Sequence, residues 1–129
     1  MDNFPLSKGI DLMKKISIEE LYELYVDTIK RCGTYLLESD DLVIGYNIFE
    51  EFDIGAITFL HTDNLKKLVY DGLISYEIMF KSSTLRREFL ALQQGDEWNI
   101  NAVRQSSQWK EILELADEIN SMVVRYAEL

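Results

Sequence analysis

The chain predicts an all-α fold, a compact single-domain helical bundle. Three observations point there: Pro5 is the only proline, the six glycines sit singly at 9, 33, 45, 55, 72 and 95, and apolar residues recur at intervals of three and four over long stretches. All-β domains carry more turn residues than this. The 129 residues are 47% hydrophobic and 12% aromatic, enough to offset chain entropy in one core and to exclude intrinsic disorder. One domain over 1–129 is the expected size, with 1–16 as an N-terminal arm or short helix packed on it.

From Ser17, the segment SIEELYELYVDTIKRCGTYLLES reads as one helix. Ser17 and Glu20 form a capping box, and Ile18, Leu21, Tyr22, Tyr25, Val26, Ile29, Cys32 and Leu36 make the buried stripe. Glu19, Glu20, Glu23, Asp27 and Lys30 fall on the wet side, and Gly33 weakens the run near its end. The middle segment DDLVIGYNIFEEFDIGAITFL has two readings. Leu42, Tyr46, Phe49 and Phe52 or Asp53 fit a helix capped by Ser39, whereas Leu42-Val43-Ile44 and Ala56-Ile57-Thr58-Phe59 are good strand sequences.

The following stretch also divides. Asp71-Gly72 between LKKLVY and LISYEIMF is a hairpin signal, giving the alternative of an α+β fold with a small antiparallel sheet from residues 42–80. In the preferred helical reading, Thr62 or Asp63 caps a short helix with Leu65, Leu68 and Val69 buried. Gly72 then ends it in the left-handed conformation, and Ser75 caps a longer helix continued by Leu85, Phe89 and Leu92. Gln93 to Gln105 reads as a longer loop or short helical turn. After Ser107 comes a second clear helix, with Trp109, Ile112, Leu113, Ala116, Ile119, Val123 and Tyr126 along one face.

Catalytic signatures are missing from the sequence. One histidine and one cysteine do not make a zinc site, and neither dinucleotide-binding nor P-loop glycine patterns occur. His61 and Cys32 read as a surface residue and a small core residue. The pairs Asp40-Asp41, Glu50-Glu51 and Asp96-Glu97 could divide acid and base work only if one member were deeply buried, and adjacent acids are usually solvated. The chain therefore reads as a binding protein, not an enzyme, with no cofactor, metal or catalytic residue. The lone Cys32 and the lack of a signal-like or membrane-spanning apolar run predict a cytoplasmic protein.

Charge is the most informative feature. Thirteen basic against 23 acidic side chains give a net of −10, which repels nucleic acid and anionic bilayers. From Cys32 to Leu65 there is no Lys or Arg, but there are seven acids: Glu38, Asp40, Asp41, Glu50, Glu51, Asp53 and Asp63. Tyr35, Tyr46, Phe49 and Phe52 are interleaved with them, as in a surface where charge speeds encounter and aromatics anchor a basic partner. A solvated surface over core aromatics is the competing reading. Lys66 to Gly95 reverses the balance, with Lys66, Lys67, Lys81, Arg86 and Arg87 against three acids. The partner-binding candidates are Glu38, Asp40, Asp41, Tyr46, Glu50, Glu51 and Asp53, extended by Asp96 and Glu97.

Size, acidity, helical pattern, the run EEFDIGAITFLHTDNLKKLVYDGLIS and the ending SQWKEILELADEINSMV resemble, in type, the small acidic bacterial immunity proteins of colicin-like, contact-dependent or other polymorphic toxin systems. The resemblance loosely covers residues 17–125. It implies tight, stoichiometric binding of a cognate toxin domain, often a basic nuclease, over its active site or a nearby surface. The alternative from another class is an acidic adaptor that mimics nucleic-acid charge to inhibit a basic DNA-binding protein; a third is a small hydrolase built on the carboxylate pairs.

Overall fold

The computed structural model describes residues 16–129, which fold as an all-α domain around one core. The arm expected over 1–16 lies, apart from Ile16, outside these residues. Helix α1, Ile18–Lys30, starts at the expected capping box. The Glu20 amide donates to Ser17 Oγ at 3.0 Å, and the Ser17 amide donates to Glu20 Oε1 at 2.9 Å. Leu21, Tyr25 and Ile29 are buried along its stripe.

The helix does not run on through Gly33. A carboxylate from the C-terminal helix, Asp117, accepts from the Thr34 amide at 3.2 Å and from the Thr34 hydroxyl at 2.5 Å. The backbone is extended at Gly33, and a Cβ there would stand 2.7 Å from Asp117 Oδ1. The chain therefore breaks and restarts as a short 3-10 helix, Thr34–Glu38.

Residues 41–58 form one continuous rod made of helix α2, Asp41–Ile44, a π-helical stretch, Gly45–Phe52, and helix α3, Asp53–Thr58. Asp40, not Ser39, is its cap, accepting from the Val43 amide at 3.0 Å. The buried residues here are Ile44, Ile48, Phe52 and Ala56, with Leu60 following. This strict spacing of four drifts by about 40° per step on a regular α-helix. Wide turns closed by i→i+5 bonds, such as Asp53 N–H to Ile48 O, bring it back onto one face. The stripe proposed through Leu42 and Tyr46 is thus wrong, since both point outward, and the strand reading of 42–44 and 56–59 fails: no strand occurs among the described residues.

Helix α4, Thr62–Tyr70, is capped by His61, whose Nδ1 accepts from the Asp63 amide at 3.1 Å, rather than by Thr62 or Asp63. Gly72 ends it with φ of 80°. The Leu73 amide donates to Leu68 O and the Gly72 amide to Val69 O, both at 2.9 Å, so Asp71-Gly72 is a helix stop and not a hairpin turn. Ser75 then caps helix α5, Tyr76–Leu92, as expected. Within 93–105 a loop leads to helix α6, Ile100–Gln105, capped by Asn99. Helix α7, Ser107–Ala127, is capped by Ser106 and buries Trp109, Ile112, Leu113, Ala116, Ile119 and Val123.

Helix α7 is the spine, packing on α1, α5, α6 and the 3-10 helix. Phe49, Phe89, Trp98 and Trp109 meet edge-on or tilted with centroids 4.8–6.0 Å apart, and Phe52 adds to Phe89 at 4.7 Å. The Trp109 indole N–H is satisfied by Glu97 O at 2.6 Å. At the crossing of α1 and α3, a Cβ on Gly55 would lie 2.4 Å from Thr28 Oγ1 and 2.9 Å from Thr28 Cβ. Two backbones meet there with no room for a methyl group. Gly55→Ala is expected to destabilise the fold by about 1–3 kcal/mol through overpacking, despite the better helix propensity of alanine, as read by urea denaturation.

Candidate functional site

The residues singled out by charge fall into two neighbouring groups. Glu38, Asp40, Asp41, Tyr46, Glu50 and Glu51 follow the turn after the 3-10 helix and the first half of the 41–58 rod. Asp53 continues down the rod and accepts from Gln93 Nε2 at 2.7 Å, which ties it to the segment bearing Asp96 and Glu97. Trp98 then packs on Phe49, joining that segment to the rod.

Several of these acids already have partners inside the chain. Asp40 caps the rod, and Asp41 Oδ1 accepts from Arg104 Nη2 at 2.7 Å. The same Arg104 nitrogen donates to Ser39 O at 2.9 Å, so one guanidinium on α6 clamps the turn. A second guanidinium, Arg31, lies 5.4 Å over the Tyr46 ring, donates to Asn47 Oδ1 at 3.2 Å, and stands 3.5 Å from Asp27 and 3.9 Å from Glu51. The carboxylates of Glu38, Glu50 and Asp96 form no hydrogen bond or ion pair among the described residues. Glu97 is half-buried, and its Oε1 is enclosed without a partner.

The interleaved aromatics separate by role. Tyr35 and Tyr46 are exposed, whereas Phe49 and Phe52 pack into the core. What sequence reasoning missed is the apolar content of this surface: Leu42 is 85% exposed, and Leu37 and Val43 are also open. Five ring or aliphatic side chains therefore stand among carboxylates on the segment 35–51. The signal available was the spacing Ile44, Ile48, Phe52, Ala56, Leu60, which accounts for the core face by itself and leaves Leu42 and Tyr46 outside it.

Other chemistry is poorly served. Among the described residues no three His, Cys, Asp or Glu side chains gather as a metal site requires. The described carboxylates are exposed or half-buried, so the deeply buried acid that a paired-carboxylate hydrolase needs is not among them. Cys32 is fully enclosed, and burial first, then the Asp117 carboxylate, push its thiol well above the ordinary 9.0. His61 is engaged in its capping bond, 3.9 Å from Asp63. No described helix is long and apolar enough to cross a membrane.

Comparison with protein-family models, with curated proteins and with solved structures gives no match, so geometry and chemistry alone carry the functional reading.

Two outcomes follow for stability. Asp40→Ala should cost about 1 kcal/mol by removing a cap, while Glu38→Gln and Glu50→Gln should stay within about 0.5 kcal/mol, in urea titrations of each variant. At alkaline pH, Cys32 and Tyr25 stay neutral in the fold, the latter raised by burial above its ordinary 10.0, but ionise when unfolded. Stability is therefore flat below the unfolded values and falls as pH climbs past about 9. Denaturation midpoints measured against pH should show that fall, and Cys32→Ala should make it shallower.

Proposed function

We propose that the chain is a non-enzymatic protein-binding inhibitor of the immunity type, which acts in the cytoplasm by docking a basic toxin domain on its Leu37–Glu51 surface. One observation supports this most: exposed Leu42, Val43 and Tyr46 lie on the same turn and rod as Glu38 and Glu50, whose carboxylates have no partner among the described residues. Such a combination suits a basic protein surface. Carboxylates draw the partner in and exclude acidic competitors, while desolvated aliphatic and aromatic side chains hold it.

A pure mimic of nucleic-acid charge has less need of exposed Leu42 and Val43, so toxin neutralisation is the better fit. Arg104 and Arg31 preorganise the surface by fixing the turn and the first turns of the rod before a partner arrives, which lowers the ordering cost on binding. Asp40 and Asp41 then serve mainly as the scaffold of that surface, and Glu38, Leu42, Tyr46 and Glu50 as its contacts. No cofactor enters this reading.

The test begins with tagged full-length chain purified from its native cells and its partner identified by mass spectrometry, followed by stopped-flow association. Glu38→Lys/Glu50→Lys should slow association about tenfold at low salt with little difference at high salt, and Leu42→Ala should speed dissociation. A toxin domain bound equally well by all variants overturns the surface assignment. A DNA-binding regulator as the stoichiometric partner overturns the immunity reading and leaves the surface standing.

A further inference from the structure

A second surface, of the reverse charge, lies where α4 meets α5. The stop at Gly72 turns the chain through 71–75, so the last turn of α4 and the first of α5 stand beside each other. Between them is a groove of about 460 Å³ lined by Lys66, Lys67, Val69, Tyr70, Tyr76 and Met79. Its rings are not core residues. Tyr70 is 94% exposed, Tyr76 68%, and Phe80, one turn beyond Tyr76, 66%.

Exposed apolar residues scattered singly need no explanation, but three rings grouped on two adjoining helices do. Aromatic side chains are enriched where proteins meet, and methionine adapts its shape to what it contacts. Lysines 66 and 67 are the only charged residues among the described lining residues, in a molecule whose net charge is −10. The acids on the same two helices and their connection, Asp63, Asp71, Glu77 and Glu88, are exposed outside that lining. Local charge is thus set against the field of the whole chain where these three exposed rings lie together.

We propose that this groove docks an acidic, apolar-faced segment of a partner protein. Val69, Met79 and the two tyrosine rings offer the apolar floor, and the Lys66 and Lys67 ammonium groups meet carboxylates at the rim. A second copy of this chain is a poor occupant, because two molecules each carrying −10 repel and a groove-to-acidic-face contact does not close on itself. An anionic bilayer or nucleic acid would meet the same net charge with only two lysines to offset it. None of the groove residues belongs to the Leu37–Glu51 surface, so this site stands or falls separately from the proposed function.

The experiment selects a random peptide library displayed on phage against the immobilised full-length chain, with depletion on the Lys66→Glu/Lys67→Glu variant. Both lysines are exposed, so the variant keeps its fold, which circular dichroism verifies. Peptides rich in Asp or Glu together with Leu, Phe or Trp should be enriched. Their affinity, read by fluorescence anisotropy, should drop about tenfold or more with Lys66→Glu/Lys67→Glu and with Tyr76→Ala, and should not change with Glu38→Lys/Glu50→Lys. Enrichment of basic or uncharged peptides, or equal capture by wild type and the groove variants, overturns the proposal. So does self-association in sedimentation that the lysine reversal abolishes, or lysine-dependent binding to phosphatidylserine vesicles.

Discussion

The contact of Asp117 with Thr34 is the constraint on which the rest of the molecule depends. Helix α1 ends in mid-sequence with apolar residues still at helical spacing, and its last carbonyls need donors from elsewhere. Helix α7 supplies both halves of the solution from one face: Asp117 takes the Thr34 amide and hydroxyl, and Asn120 Nδ2 donates to Ile29 O at 3.3 Å. Only glycine allows the approach at 33, because any Cβ would collide with the Asp117 carboxylate. A contact 83 residues apart in sequence therefore decides where the first helix stops.

The rod that follows is a compromise between two periods. Its buried residues repeat every four, which neither an α-helix nor a pure π-helix keeps on one face, and the alternation of α and π turns averages to the needed spacing. Wide turns are often found at functional sites because they re-aim side chains that a regular helix would place elsewhere. Here they bring Tyr46 under Arg31 and keep Phe49 on Trp98 while Ile48 and Phe52 remain enclosed.

Local signals were legible in the sequence where the structure is local. The Ser17 capping box, the Ser75 cap, the Gly72 stop and the stripe from Trp109 to Val123 each involve residues within a few positions of one another. What the sequence hid depends on distant partners or unusual geometry. Ser39 and Asp40 are both good caps, and the choice of Asp40 frees the Ser39 carbonyl for Arg104. Phe49 and Phe52 looked like companions of Tyr46 because they share its acidic neighbourhood, but wide turns and Trp98 draw them inward. The acidic character of the candidate surface was legible from the absence of Lys and Arg between Cys32 and Leu65. Its aliphatic centre was not, since an outward Leu42 follows only from knowing which residues fill the core.

Charge in this chain has two uses that composition merges. Asp41 held at 2.7 Å by Arg104 contributes little to the field outside the molecule, because the pair is nearly neutral at a Debye length, and Asp40 is engaged as a helix cap. The uncompensated charge of this segment is therefore smaller than the run of seven acids implies and is concentrated at carboxylates without such a cation among the described residues, such as Glu38 and Glu50. Structural pairing also shapes where the positive charge goes. Arg31 and Arg104 are drawn into the acidic side and Lys81 is engaged by Glu118 at 3.1 Å, whereas Lys66 and Lys67 stay exposed beside Tyr70 and Tyr76, as Lys30, Arg87, Lys110 and Arg125 do elsewhere on the described surface. A chain of net −10 thereby carries one acidic face with exposed aliphatic side chains and one lysine-bearing groove with exposed rings. Arg104 holds the turn and Arg31 the first turns of the rod behind it, so two arginines, one at the end of a helix before the acidic segment and one from a helix after it, keep that segment in one arrangement.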